Sequence, residues 1–141
     1  MREKSSSSLR EKLRRMMSEP GLEDLASGLE ALIAELVERY HPRSIIIAGS
    51  VAKSRFVRGL SDIDLLVITD VAPSKSDRFV LTAIKDVNVE VTVYSLEEVV
   101  NNIRGKNLFV IDAIEQGFEV YGDAIATLRR VLHEARAVED Y

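Results

Sequence analysis

Two periods of apolar and polar residues run along the chain, and they predict where helices and strands lie. Over 22–40, apolar residues recur at steps of three and four, which is typical of one face of a helix. His41-Pro42 ends this helix, because the residue before a proline avoids the helical backbone region. The short continuous apolar runs SIIIA at 44–48 and DIDLLVIT at 62–69 are typical of buried strands.

The second half of the chain adds one clear strand and several helices. VNVEVTVYS at 87–95 alternates strictly between apolar and polar residues, which predicts a third strand. Ser95 and Glu98 form the pattern of a capping box, S-x-x-E, and this pattern opens a helix over 96–103. We also predict helices at 9–17, 76–85, 107–116 and from a cap at Asp123 to about 137, and a short strand at 118–121. The elements predict an α+β, two-layer fold with a small mixed sheet of three to four strands covered by helices.

The beginning of the chain differs from the rest in charge. Pro20-Gly21 is a break that separates a basic N-terminal segment, 1–21, from a domain at 22–141. Residues 1–18 carry six Lys and Arg against two Glu, although the whole chain has a net charge of −4. Such a segment is either a solvated tail or a docking arm for an acidic partner.

Composition narrows the class of protein. A chain of 141 residues with 46% apolar and 30% charged residues suits one globular domain with a modest core. The absence of cysteine excludes disulfides, thiolate nucleophiles and cysteine metal sites. The negative net charge does not favour nucleic acid as a partner. No run approaches the ~18 apolar residues of a membrane span, and the N-terminus lacks the apolar core of a signal peptide, so we expect a cytoplasmic protein.

Carboxylates are the candidate chemistry of the second and third strands. Asp62 and Asp64 are two residues apart and point to one face, whereas Ile63 and Leu65 point into the core. Glu90 joins the aspartates if the third strand is the neighbour of the second. Three close carboxylates repel each other without a cation, and oxygen ligands suit Mg²⁺ or Mn²⁺. The alternative is an ordinary solvated strand edge or turn cap.

A Gly-Ser pair directly follows the first strand. Gly49 and Ser50 can open a short helix, which would offer backbone N–H groups and a hydroxyl to an anion. Lys53, Arg55 and Arg58 follow in the next loop. These cations are either solvated or close to bound phosphates.

The combination carries a family resemblance. GS at 49–50, a spacer, SDIDLLV at 61–67 and an acid in a later strand resemble the minimal nucleotidyltransferases (MNT) of the DNA polymerase β-like superfamily. The segment AIEQGFEVYGD at 113–123 is similar to a C-terminal segment that is common in that group. The resemblance covers about 22–123, and it implies the polymerase β-like nucleotidyltransferase fold.

The resemblance implies roles for single residues. Asp62 and Asp64 would bind two Mg²⁺ ions, and Glu90 would stand where the family more often has a third aspartate. Gly49 and Ser50 would grip the β- and γ-phosphates of ATP. The spacer of eleven residues before Asp62 is one residue longer than in many members.

The resemblance also implies the reaction and a partner. In the spacer, Lys53 and Arg55 keep positive charge near the phosphates. AMP would pass from ATP to a hydroxyl, and minimal members are often paired with a small helical HEPN toxin whose tyrosine they modify as antitoxins. The alternatives are a non-catalytic binding module of the same fold and a transferase that acts on a small molecule. Pairing of the chain with a copy of itself stays open.

Overall fold

The computed structural model describes residues 2–18 and 22–139, and the predicted break at Pro20-Gly21 lies outside these residues. The α-helices are α1 Arg2–Met16, α2 Ala26–Tyr40, α3 Gly49–Ala52, α4 Leu96–Arg104, α5 Leu108–Gln116 and α6 Ile125–Glu139. The strands are β1 Ser44–Ala48, β2 Ile63–Thr69, β3 Phe79–Ile84, β4 Val87–Ser95 and β5 Phe118–Gly122. Short 3-10 helices lie at Glu23–Leu25 and Lys75–Asp77.

The strands form one mixed sheet in the order β3-β4-β2-β1-β5. Strands β2 and β4 pair in parallel, and the other neighbours pair antiparallel. The α+β fold with a mixed sheet is confirmed, but the sheet has five strands rather than three to four. The fifth strand is β3, so the helix predicted at 76–85 is wrong.

Strand β3 forms a hairpin with β4 for reasons that lie in its own sequence. FVLTAI is rich in aromatic and β-branched residues, which favour a strand. Val80 and Ile84 face the core, with exposed residues between them. Lys85, with a φ of 54°, sits in the tight turn that leads back into β4.

Helices cover both faces of the sheet. One apolar cluster lies between the sheet and α1 and α2, and it includes Ile47, Leu65 and Leu29. The other lies between the sheet and α4, α5 and α6, and it includes Leu66 and Leu128. The two predicted layers are therefore three, because the apolar run of β2 is buried on both faces.

The basic N-terminal segment contributes to the core through α1. Leu13 and Met17 are almost fully buried in the cluster that α1 shares with α2. Arg10 donates hydrogen bonds to Glu30 on α2 across the same contact. No helix among the described residues combines the length and apolar character needed to cross a bilayer.

Side chains on β1 and β5 hold the start of α6. Ala124 N–H donates to Ser44 Oγ at 2.8 Å, and Ile125 N–H donates to Glu119 Oε2 at 3.0 Å. Ser44 Oγ in turn donates to Glu119 Oε2 at 2.7 Å. Ser44 and Glu119 thus take the capping role predicted for Asp123, whereas the capping box at the start of α4 is confirmed.

Candidate active site

Two carboxyl groups meet on neighbouring parallel strands. Asp64 on β2 lies in register with Glu90 on β4, and both alternate with core residues that face α1 and α2. The side chains therefore share the α4–α6 face of the sheet. Burial, contact with the Glu90 carboxyl and the charges of Glu90 and Asp62 raise the pKa of Asp64 to about 6.

Asp62 stands apart from this contact. It is exposed and precedes the first residue of β2, although its charge still acts on Asp64. Within residues 2–18 and 22–139, no three Asp, Glu or His side chains are grouped closely enough to hold a metal ion. The structure thus brings together Asp64 and Glu90, with Asp62 at the edge of the pair.

Gly49 lies directly against the carboxyl group of Asp64. Its φ is +67°, which L side chains rarely adopt. A Cβ atom added to Gly49 would lie only 2.4 Å from Asp64 Oδ2. Glycine is therefore required both by the turn and by its neighbour. Ser50 follows in α3 and is half-buried.

The predicted phosphate-binding cations lie beside the Gly-Ser turn. Lys53 Nζ is 2.9 Å from Asp112 Oδ1 on α5. Lys53 and exposed Arg55 line an open cavity of about 400 Å³ together with Asp112, Glu115 and Gln116. Lys53 is thus already paired with an acid.

Arg58 is not a freely solvated cation. Its guanidinium is bound between the carboxylates of Asp24 and Asp86. The basic spacer is therefore divided, with Lys53 and Arg55 on the side of α5 and Arg58 tied to other segments.

Exposed apolar residues next to Glu90 were missed by the sequence analysis. Leu81 on β3 pairs with Glu90, and Phe79 pairs with Thr92, so these apolar side chains lie on the carboxyl face. Leu81 is 66% exposed and Phe79 is 51% exposed. The alternation of inward Val80 with these two residues was the available signal, and the helix assigned to 76–85 concealed it.

Comparison with known proteins places this geometry in context. Residues 29–130 match the model of the family described as nucleotidyltransferase domain. Eight chains of solved structures also match. One is the crystal structure of a nucleotidyltransferase-like protein from Exiguobacterium sibiricum 255-15, with 14% identity and a TM-score of 0.51 over 75% of this chain. The match spans only 36% of that protein, and at 14% identity the likeness concerns the fold alone. The comparison with curated protein sequences finds no match.

Proposed function

The chain belongs to the nucleotidyltransferase domain family, and we propose that it transfers AMP from ATP to a hydroxyl group in a Mg²⁺-dependent reaction. The hydroxyl oxygen attacks the α-phosphorus in line and forms a new P–O bond. The bond from that phosphorus to the bridging oxygen breaks, and pyrophosphate leaves. Catalysis of this kind depends mainly on positioning and on neutralising charge.

The observation that carries the proposal is the contact between Asp64 and Glu90 beside Gly49. Two carboxyl groups in contact are unfavourable unless a proton or a cation lies between them. Asp64 and Glu90, with exposed Asp62 as a third ligand, would hold Mg²⁺ or Mn²⁺. These ions fit because all the donors are carboxylate oxygens. A divalent ion held by these carboxylates would supply positive charge to neutralise the triphosphate.

The chain's own residues have separate roles in the proposal. Glu90, which lies beside Asp64 on the neighbouring strand, accepts the proton of the attacking hydroxyl. Gly49 and Ser50 bind phosphate oxygens through N–H and hydroxyl groups. Lys53 exchanges Asp112 for a phosphate, which is favourable because a triphosphate carries more negative charge than one carboxylate.

The proposed acceptor is a tyrosine of a small helical HEPN partner, in which case the chain is the antitoxin of a toxin–antitoxin pair. The family resemblance suggests this partner, and the apolar strip of β3 supports an aromatic acceptor. Phe79 and Leu81 expose apolar surface on the face that bears Glu90, and this surface suits a phenol ring. A tyrosine hydroxyl with a pKa of ~10 also needs a nearby proton acceptor.

Labelled nucleotide transfer tests the proposal. The purified chain is incubated with α-labelled ATP and Mg²⁺ or Mn²⁺, alone and with a candidate small helical HEPN protein. We expect label on a partner tyrosine with the natural chain, none with Asp64→Asn, and normal labelling with Glu35→Gln, which removes an exposed carboxylate on α2. Label that survives Asp64→Asn unchanged would exclude the assigned site.

One observation favours a second function, a non-catalytic antitoxin that acts by contact alone. Among the described residues, Asp62, Asp64 and Glu90 do not form a ready metal-binding group. For such a binder, Asp64→Asn would inhibit the partner as well as the natural chain does, at one-to-one stoichiometry and without label. Inhibition that needs ATP and Asp64 would exclude the binder.

A further inference from the structure

Arg58 makes four hydrogen bonds to two carboxylates. Nη1 and Nη2 donate to the two oxygens of Asp24 at 2.6 and 3.0 Å. Nε and Nη2 donate to the two oxygens of Asp86 at 3.2 and 2.5 Å. Paired N–H bonds of this kind fix the orientation as well as the position of a guanidinium. Arg58 is therefore held on both of its edges.

The clamp, as we call the contacts of Arg58 with Asp24 and Asp86, joins three segments of the chain. Asp24 lies in the 3-10 helix before α2, Arg58 in the loop before β2, and Asp86 in the turn between β3 and β4. Lys85 Nζ also approaches Asp24 Oδ2 at 3.3 Å. The Arg58 guanidinium holds the pKa of Asp24 at about 2 and lowers that of Asp86, so both acids stay charged at neutral pH.

The loop around Arg58 is closed by its own hydrogen bonds. The N–H groups of Leu60 and Ser61 donate to Val57 O at 3.0 and 2.8 Å. Val57 N–H donates to Ser61 Oγ at 3.0 Å. These bonds make residues 57–61 a compact turn that ends immediately before Asp62. A displacement of Arg58 would therefore be passed on to Asp62.

The clamp connects the two segments that lead to Asp62 and to Glu90. Arg58 is separated from Asp62 by one compact turn. Asp86 lies in the turn that leads into β4, and Glu90 lies in the first half of that strand. The pairing of β2 with β4 already sets Asp64 against Glu90. Asp62 lies outside that pairing and needs another restraint.

We propose that Arg58 is a positioning residue that keeps Asp62 at the edge of the Asp64–Glu90 pair, from where its carboxylate can turn toward a cation bound there. It does so by tying the loop before β2 to the β3–β4 turn. The inference rests on the proposed function, since it concerns the same cation. Groups that orient metal ligands typically contribute about 10-fold or more to metal affinity.

A direct contact of Arg58 with the triphosphate is the competing explanation, and it predicts a different effect of one double substitution on Mn²⁺ binding. If Arg58 acts through the clamp, Asp24→Asn/Asp86→Asn releases the loop and reproduces the loss of Mn²⁺ affinity caused by Arg58→Gln. If Arg58 acts only by binding phosphate, neither variant changes the Mn²⁺ affinity of the nucleotide-free chain. Loss or preservation of Mn²⁺ affinity therefore separates the two explanations.

Mn²⁺ binding provides a readout that needs no acceptor. Free Mn²⁺ is measured by electron paramagnetic resonance in titrations of the full chain. We expect Arg58→Gln and Asp24→Asn/Asp86→Asn each to weaken Mn²⁺ binding about 10-fold, and the triple variant to lose no more. The matched control is Arg39→Gln, which breaks the exposed 2.5 Å ion pair with Asp77 and should leave Mn²⁺ affinity unchanged.

The results distinguish failure of the proposed function from failure of the clamp. A natural chain that binds no Mn²⁺ overturns the proposed function and the clamp with it. Normal Mn²⁺ affinity in Arg58→Gln or in the double variant overturns the clamp alone. Circular dichroism checks folding. If Arg58→Gln does not fold, Asp86→Asn tests the same idea, because it removes one exposed partner and leaves Asp24 bound.

Discussion

Replacing Asp64 by asparagine is expected to stabilise the metal-free protein at neutral pH. The pKa of this carboxyl is raised from 3.8 to about 6, first by burial and then by Glu90 and Asp62. Its ionised form is therefore unfavourable in the folded state. Asparagine has nearly the same shape, can still hydrogen-bond Glu90, and carries no charge. The substitution should thus abolish transfer while it raises the free energy of unfolding.

The size of the expected stabilisation follows from the shift in the pKa of Asp64. A displacement of two pKa units corresponds to at most ~3 kcal/mol, at 1.36 kcal/mol per unit. Asp64 is only half-buried, so solvent screening reduces this to about 1 kcal/mol. For a chain of this length, 1 kcal/mol raises Tm by about 3 °C.

The stability difference between Asp64→Asn and the natural chain should increase as the pH rises. Between about pH 4 and about pH 6, the folded carboxyl of Asp64 binds its proton more tightly than the unfolded one. The stability that this proton provides is present at low pH and is lost as the pH rises to about 6. Asp64→Asn lacks this loss of stability. The free energies of unfolding of the natural chain and of Asp64→Asn should therefore be equal near pH 4 and differ fully above about pH 7. Acids with lowered pKa values, such as Asp24, contribute equally to the pH dependence of stability in both proteins.

Urea unfolding followed by circular dichroism, in EDTA, measures this difference across the pH range. Glu35→Gln serves as the control for removal of a charge from an exposed site on α2. Added Mg²⁺ or Mn²⁺ should then stabilise the natural chain and leave Asp64→Asn unchanged. A stability difference between them that is constant with pH, or an Asp64→Asn variant less stable above about pH 7, would refute the reasoning.

Three further substitutions test other parts of the structure. Gly49→Ala should abolish transfer and cost about 1–3 kcal/mol in urea unfolding, because its φ is +67° and its Cβ would meet Asp64 Oδ2; normal stability would contradict the turn. Leu81→Ala should raise KM for a tyrosine acceptor several-fold, and equal KM values in acceptor titrations would show that the apolar strip is not used. Glu119→Ala should cost about 1–2 kcal/mol without a change in kcat, since Ile125 N–H loses its acceptor; an unchanged urea midpoint would exclude this capping role.

The helices and most strands could be predicted because their apolar period is set locally. β4 and the helix opened by Ser95 and Glu98 are examples, since alternation and a capping box are readable within a few residues. β3 was missed because it is an edge strand with one sparse buried face, and Phe79 and Leu81 are exposed. A short segment with that pattern fits a helix face almost as well.

The site could be predicted only in part, because its geometry depends on pairing between distant strands. The sequence shows that Asp62 and Asp64 share a face, but the contact with Glu90 required β4 to be the neighbour of β2 in this register. The ion-pair partners of Lys53 and Arg58 could not be predicted from the sequence. Their acidic partners lie far away in the chain, and only the folded topology brings them together.

The route of the chain between β2 and β4 has a consequence for the order of folding. The strands that carry Asp64 and Glu90 are neighbours in the sheet, yet the chain must first leave for the edge and build β3 before it returns. Because such distant pairing closes a loop before it gains contacts, we expect it to form late. This late pairing also brings two like charges together. A cation that binds only there would slow unfolding in stopped-flow measurements and leave the folding rate unchanged, so it would lengthen the lifetime of the folded state.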